Sequence, residues 1–303
     1  MDESRISLMS IFIDIFHDRM EIVRNFYNTL VDESVQYAKD TTLHLTIGLL
    51  LYIVACVGVY FATVYLKVNR TWGKIKSVKR VLFVTAHPDD ECMFFGPTIL
   101  TLAKQKDCGM YLLCLSNGNF EEKGNERKQE LWNSCNLLGI PDSNITLYKS
   151  DDMPDDPHLR WREDVVANII LNHIESLSID TVITFDKVGV SRHQNHISLF
   201  YATAYLCLEK KLPLYCRAYA LESINVVRKY SWILDVPLSF FLSTYWYILP
   251  SNERRILKAA MAAHKSQYVW FRKLYMAFSR YTVMNTLKEI EIIDLELDLE
   301  LDD

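Results

Sequence analysis

Val81-Leu82-Phe83-Val84-Thr85-Ala86-His87-Pro88-Asp89-Asp90-Glu91 decides how this chain folds and where its chemistry sits. The first five residues are a short β-branched and aromatic run opened by Lys79 and Arg80, which reads as a buried strand. An imidazole and three carboxylates follow at once. Beyond them Cys92-Met93-Phe94-Phe95, spaced with Ile99, Leu100 and Leu102, reads as a buried helix. Ligands bind at the carboxyl ends of strands in open α/β sheets. So many ionisable groups at such an end would be costly to desolvate without a cation or a chemical task.

His87 and Asp90 stand three apart across a strand-to-helix turn, a spacing that lets both side chains converge on one ion. A catalytic zinc usually takes three protein ligands and keeps one position for water. The third is available in Arg192-His193-Gln194-Asn195-His196, which again follows a buried run, Thr181-Val182-Ile183-Thr184-Phe185, and a polar turn through Asp186 and Gly189. Taken singly, a histidine is more often a surface residue, and an Asp-Asp-Glu run is more often a helix start favoured by the dipole. Two such clusters behind two strands favour a shared metal over either ordinary explanation.

Between residues 80 and 222 apolar strands alternate with helical stretches. Strands are expected at 81–86, 110–115, 145–148, 180–185 and 217–221, and helices near 91–106, 124–138, 161–178 and 194–210. This alternation predicts an α/β fold, a Rossmann-like, mostly parallel sheet with helices on both faces, preceded by one transmembrane helix. No Gly-x-Gly-x-x-Gly follows the first strand and no Gly-Lys-Ser/Thr loop is present, so a nucleotide ligand is unsupported. The net charge of -5 argues against nucleic acid. Seven cysteines without a Cys-x-x-Cys or a disulfide-like framework point to a reducing compartment for the catalytic part.

Residues 45–66 carry no charge and are long enough to cross a bilayer as a helix. Residues 1–43 hold more acid than base, whereas 67–80 hold six basic residues and no acid, so the positive-inside rule puts the C-terminal side in the cytosol. The organisation expected is an N-terminal extension (1–43, lumenal), a transmembrane helix (44–66), a basic linker (67–80), a catalytic domain (81–250), its basic and aromatic helical continuation (251–288) and a solvated acidic tail (289–303). Apolar residues at helical spacing in 6–31 suit a membrane surface or a partner helix. Residues 232–249 are a second apolar stretch. Asp235 at its centre, costing about 2.5–3.5 kcal/mol on insertion scales, favours a packed or membrane-facing shoulder over a second span. In the continuation, Arg272, Lys273 and Arg280 are expected on one helical side beside Trp270 and Tyr275, either packing or touching lipid.

The chain resembles the zinc-dependent N-acetylglucosamine deacetylases of the LmbE-like group, and within it the N-acetylglucosaminyl-phosphatidylinositol de-N-acetylase family. The residues that carry this are Ala86 to Glu91 with the later His193 and His196, Leu115-Ser116-Asn117-Gly118-Asn119, Glu126 to Leu131, and Asp152-Met153-Pro154-Asp155-Asp156-Pro157. His264-Lys265-Ser266-Gln267, Trp270-Phe271-Arg272 and Phe278-Ser279-Arg280-Tyr281 complete it. The match spans about residues 80–287. The resemblance implies a divalent metal, zinc, held by His87, Asp90 and His196, with Asp89 as general base and His193 facing the oxyanion or leaving amine. It implies substrate contacts from Arg127 and Asn117. The loop departs from soluble relatives, which often have Gly-Glu after Asn-Gly where this chain has Asn119-Phe120 behind Gly118. The activity implied is deacetylation of the glycolipid N-acetylglucosaminyl-phosphatidylinositol, the second step of GPI-anchor synthesis, in the endoplasmic reticulum membrane. A deacetylase of another N-acetylglucosamine conjugate and an inactive membrane adaptor are the rival expectations.

Overall fold

The computed structural model describes residues 3–66, 74–75, 77–118, 123–150 and 152–292. Its first element, α1 (Glu3–Tyr65), runs through the expected boundary at residue 43 without a break. Within α1 the stretch Phe12–Tyr65 is long and apolar enough to cross a membrane. The chain forms two compact units that meet between Ala55 and Cys56, so the last turns of α1 belong with the folded body that follows.

That body begins with β1 (Arg80–Thr85), α2 (Asp90–Met93), α3 (Gly96–Leu102) and β2 (Gly109–Cys114). Next come α4 (Gly124–Leu138), β3 (Ile145–Leu147), α5 (Glu163–Ser176) and β4 (Thr181–Phe185). The distorted turn α6 (Gly189–Arg192), α7 (Gln194–Leu208), β5 (Arg217–Leu221), α8 (Val226–Lys229) and α9 (Val236–Leu242) follow. The chain closes with β6 (Tyr245–Ile248), α10 (Arg254–Ala263), α11 (Trp270–Phe278) and β7 (Met284–Glu289).

Seven strands form one sheet in the order β3-β2-β1-β4-β5-β7-β6. The first five run parallel, and β7 pairs antiparallel with both β5 and β6. Continuous burial of β1 after its first residue, and of all of β4, is what a parallel sheet covered on both faces demands of apolar runs. Helices cover it, α4 packing with α10 and α5 with α7. The strand order reverses between β1 and β4, whose residues Val81 and Thr181 lie in register. Their carboxyl ends therefore border the crevice where such sheets bind ligands. Directly beneath it Phe83, Phe95 and Phe185 pack edge to face, with Phe95 and Phe185 centroids 4.9 Å apart.

The expected strands and helices of the parallel half are present, except that the helix expected over 91–106 is broken into α2 and α3 and ends at Leu102, and the C-terminal expectations need correction. Residues 232–249 are a 3₁₀ turn, α9 and β6 rather than one apolar segment, and 251–288 ends in β7 rather than helix. The misleading residues in β7 are polar yet buried. Asn285 Nδ2 donates to the Phe94 carbonyl at 2.7 Å, and its Oδ1 accepts from Thr98, tying β7 to α3. The expected acidic tail begins later, because Glu289 ends β7 and the Ile290 amide donates to Ala218 O. Residues 293–303 lie outside the described residues, as does most of the expected linker 67–80, although Ile75 and Val78 join the core.

Arg272, Lys273 and Arg280 do not share a face. Lys273 is exposed, Arg272 turns inward, and Arg280 is fully buried against Asp235, with Nε 2.8 Å from Oδ2. Arg228 completes the pairing at 2.6 Å from Asp235 Oδ1. The acid in the apolar stretch is thus a counter-ion for a buried arginine. Asp235→Ala should lower stability by about 3–5 kcal/mol, the range for stranding a buried charge. Denaturant unfolding of the detergent-solubilised protein measures it, and a loss below about 1 kcal/mol would contradict the pairing.

Candidate active site

β1 ends at Thr85, and the chain turns sharply through Ala86-His87-Pro88-Asp89 into α2. Asp90 fixes this turn. Its Oδ2 accepts the Ala86 and His87 amides, each at 2.9 Å. Asp89 takes a left-handed conformation, φ 116°, which costs a non-glycine residue of order 1–3 kcal/mol and persists only where neighbours enforce it. They do so on two sides. The Asp89 amide donates to Glu91 Oε2 at 3.0 Å, and Gln267 Nε2 donates to Pro88 O at 3.1 Å.

The second loop, behind β4, is also strained. Gly189, Val190 and Arg192 all have φ near 60°, unusual for the β-branched Val190. Asp186 organises it, accepting the Val188 and Gly189 amides on Oδ1 and the Ser223 amide on Oδ2. Ser223 Oγ in turn accepts the Val190 amide at 2.7 Å. Gly189 is required twice over, by its φ and because a Cβ there would lie 2.9 Å from His196 Cβ.

The two loops bring His87, His193 and His196 together, with ring nitrogens mutually within 4.8 Å. Asp90 joins them, Oδ1 lying 3.3 Å from His196 Nε2 and Oδ2 3.8 Å from His87 Nδ1. His196 stacks flat on Phe185 at 4.0 Å and directs Nδ1 to the Gly189 carbonyl at 3.1 Å. Its Nε2 is buried with no hydrogen-bond partner. An imidazole whose other nitrogen donates to a carbonyl presents a lone pair, which is how metal-ligating histidines are held. His87 follows the same rule, its Nε2 lying 2.9 Å from Asp155 Oδ1 and 3.0 Å from Asn195 Oδ1. The donor set therefore suits a divalent cation.

Electrostatics separates the three histidines. Burial alone would lower His87, but the hydrogen bond to Asp155 and the charge of Asp90 raise it above its ordinary value. Burial would raise Asp90, yet the charges of His196 and His87 and the His87 amide hold it well below the usual carboxylate range. Burial, reinforced by the His87 and His196 rings, pushes His193 down to about 4, so it is neutral at pH 7. Its Nδ1 accepts the Asn195 amide, which leaves the ring proton on Nε2.

These groups line a cavity of about 570 Å³ together with Asp89, Arg127, Lys229 and Arg272. Arg272 ion-pairs with Asp89. Arg127, expected to meet substrate, is buried and committed to protein acceptors, Gly118 O, Asp155 Oδ2 and Gln267 Oε1. Gly118, at φ 69°, lies so close to this guanidinium that a Cβ would collide with it. Asn117, half-buried on the same loop, does not line the cavity. Sequence reasoning gives no role to Asp155, Asn195 or Gln267, and it sets Arg272 among helix-surface charges. All four stand in stretches that the sequence singles out, Asp155 in Asp152–Pro157, Asn195 between His193 and His196, Gln267 in His264–Gln267 and Arg272 in Trp270–Arg272, but nothing local marks which of their neighbours they serve.

A second buried cluster, Glu91, Cys92 and His264, stands behind the first. Glu91 Oε1 meets His264 Nε2 at 2.7 Å and accepts from Ser134 at 2.5 Å.

Comparison with known proteins agrees with this geometry. The family model described as PIG-L, GlcNAc-PI de-N-acetylase, matches residues 82–207. The chain is 47% identical over 209 residues to N-acetylglucosaminyl-phosphatidylinositol de-N-acetylase of Bos taurus, covering 69% of this chain and 82% of that one. It is 37% identical over 243 residues to the probable enzyme of the same name from Dictyostelium discoideum, covering 70% and 94%. N,N'-diacetylchitobiose deacetylase from Pyrococcus horikoshii is similar in fold, with a TM-score of 0.55 at 15% identity over 78% of this chain and 93% of that chain.

The His87–Asp155 contact generates a direct test. Asp155→Asn removes the carboxylate that orients His87, and metal affinity measured by chelator competition should fall about 10–100-fold. Unchanged affinity would show that Asp155 only packs.

Proposed function

The chain belongs to the N-acetylglucosaminyl-phosphatidylinositol de-N-acetylase family, and on that premise we propose that it hydrolyses the acetamide of N-acetylglucosaminyl-phosphatidylinositol, releasing acetate and leaving glucosaminyl-phosphatidylinositol in the second step of GPI-anchor synthesis. The observation that carries the reading is the convergence of three histidines and three aspartates on one cavity at the sheet's switch point. Intact donors speak against an inactive adaptor, and the apolar α1 speaks for a membrane-embedded substrate over a soluble conjugate.

His87, Asp90 and His196 would hold the cation, zinc by the chemistry of the set. When bound, it supplies an acidified water, with pKa lowered from about 15.7 to about 7, and polarises the acetamide carbonyl. Asp89 accepts the proton of the attacking water. Arg272 pairs with that carboxylate and supplies the counter-charge. His193 enters neutral, donates its Nε2–H towards the oxygen on which charge develops, and gains basicity as that charge grows. Asp89 then returns the proton it took from the water to the amine nitrogen as the carbon–nitrogen bond breaks, so that acetate and the amine are released and the carboxylate is restored. A second ligand set is favoured by one observation: Asp90 Oδ2 is already committed to two backbone amides, and the tight nitrogen cluster includes His193.

Metal analysis separates the two. Alanine at His87 or His196 should abolish bound metal and turnover. In the first assignment Asp90→Ala does the same while His193→Ala keeps its metal; the reverse outcome establishes the second. Asp89→Asn should retain metal and lose turnover by about 10²–10⁴-fold on the lipid substrate. Full activity in Asp89→Asn, or after complete chelation, would defeat the mechanism.

For topology we place residues before α1's apolar core in the lumen of the endoplasmic reticulum and the catalytic body in the cytosol, on the six basic residues of 67–80. A glycosylation tag placed before residue 40 should be modified in microsomes and one after residue 290 should not. The opposite pattern would reverse the assignment.

A further inference from the structure

Three short helices around the cavity mouth expose an unusual amount of apolar surface. On α9, Leu238, Phe241 and Leu242 face outward, with Phe241 79% exposed; on α11, Trp270, Leu274 and Phe278 do so, with Trp270 72% exposed. These two helices bury their opposite sides, Val236 and Ser239 on α9 and Tyr275 and Met276 on α11, while α8 buries none of its residues. Single exposed apolar residues need no explanation, but a connected patch marks a contact surface.

The patch is connected through α8. Arg228 pairs with Asp235 and donates to Ser239 Oγ at 2.9 Å, which fixes α8 to α9. Lys229 extends over the Tyr275 ring at 5.7 Å, and Tyr230 meets the same ring at 6.3 Å, which joins α8 to α11. Lys229, Tyr230, Phe271 and Arg272 also line the cavity, so the patch begins where the cavity opens.

Two observations say what covers it. The last turns of α1 belong to the same folded unit and pack beneath α9, where Tyr60 shares a cluster with Val236, Trp246 and Val283 and donates to the Leu249 carbonyl at 3.0 Å. The end of the helix that is apolar enough to span a bilayer is thereby fastened to the element carrying Phe241. Moreover α8, α9, α10 and α11 contain no acidic residue, while Arg255, Lys258 and Lys273 are exposed. Aromatic and aliphatic side chains with basic neighbours suit the headgroup–acyl boundary of an anionic leaflet.

We propose that α8, α9 and α11 form a rim that inserts into the bilayer surface and seats the cavity mouth at headgroup depth. The purpose of this rim rests on the glycolipid reading of the site. On that reading Lys229, carried by α8 and lining the cavity, meets the phosphodiester while Arg272 stays with Asp89, and the acyl chains of the substrate never leave the membrane.

The test uses the full chain in phosphatidylcholine–phosphatidylserine vesicles, with an environment-sensitive fluorophore on Phe241→Cys or Leu274→Cys and a control label on Leu214→Cys, before β5. Both rim labels should be quenched by nitroxide-bearing lipids and shielded from a water-phase quencher, and the Leu214 label should show the converse. Rim labels open to the aqueous quencher would overturn the proposal, as would shielding without lipid quenching, which would mean a protein partner. This readout needs no turnover, so it stands apart from the assigned activity. Replacing Phe241 and Trp270 together by Asp should raise KM for the embedded substrate about tenfold and leave a chain-free analogue unaffected. Equal losses on both would again overturn it.

Discussion

Three consecutive buried carboxylates, Asp89, Asp90 and Glu91, are the constraint around which the rest of the molecule is arranged. Desolvating an unpaired charge costs several kcal/mol, so each must be matched, and one backbone turn cannot match three. Each therefore faces a different part of the chain. Asp89 meets Arg272 from α11, Asp90 gives one oxygen to the Ala86 and His87 amides and turns the other to His196 from α7, and Glu91 meets His264 from the end of α10. The C-terminal helices are drawn over the end of β1 by this requirement, and they become walls of the cavity. Folding and site assembly are the same event here.

Strain is also present at this place. Asp89 and Val190 hold left-handed backbone conformations on the two loops that carry the histidines. Both are held there by side chains, Glu91 on one loop through the oxygen it does not give to His264, and the Asp186–Ser223 pair on the other. The strain fixes where the side chains point before any ligand arrives. Preorganised donors of this kind cost no rearrangement during reaction.

The parallel half of the fold is legible because its signal is local. A buried strand such as Val81 to Thr85 announces itself by its own residues, and the sheet's switch point follows from the order of such runs. The same holds for His87, Asp90, His193 and His196, which stand beside those strands. What the sequence does not reveal depends on distant partners. Asp235 reads as a membrane penalty because Arg280, the residue that neutralises it, is 45 positions away. Arg272 reads as a surface charge because Asp89 lies on the first strand's turn. In β7, Asn285 and Thr286 break the apolar alternation, since their hydrogen bonds run inward to α3 and Arg280. Polar residues buried against remote partners leave no periodicity to read.

The buried thiols have a consequence for metal discrimination. Cys92 stands beside Glu91 and His264, three donors that would suit a soft ion. Thiolate, not thiol, is the competent ligand. Burial, with the charge of Glu91 added, pushes the Cys92 thiol well above its ordinary value, and His264 is already engaged by Glu91. Cys114 and Cys135 are raised in the same way. An ion entering this cluster would have to displace a proton held by burial, whereas the cavity offers nitrogen and oxygen donors, the set that borderline and harder ions use.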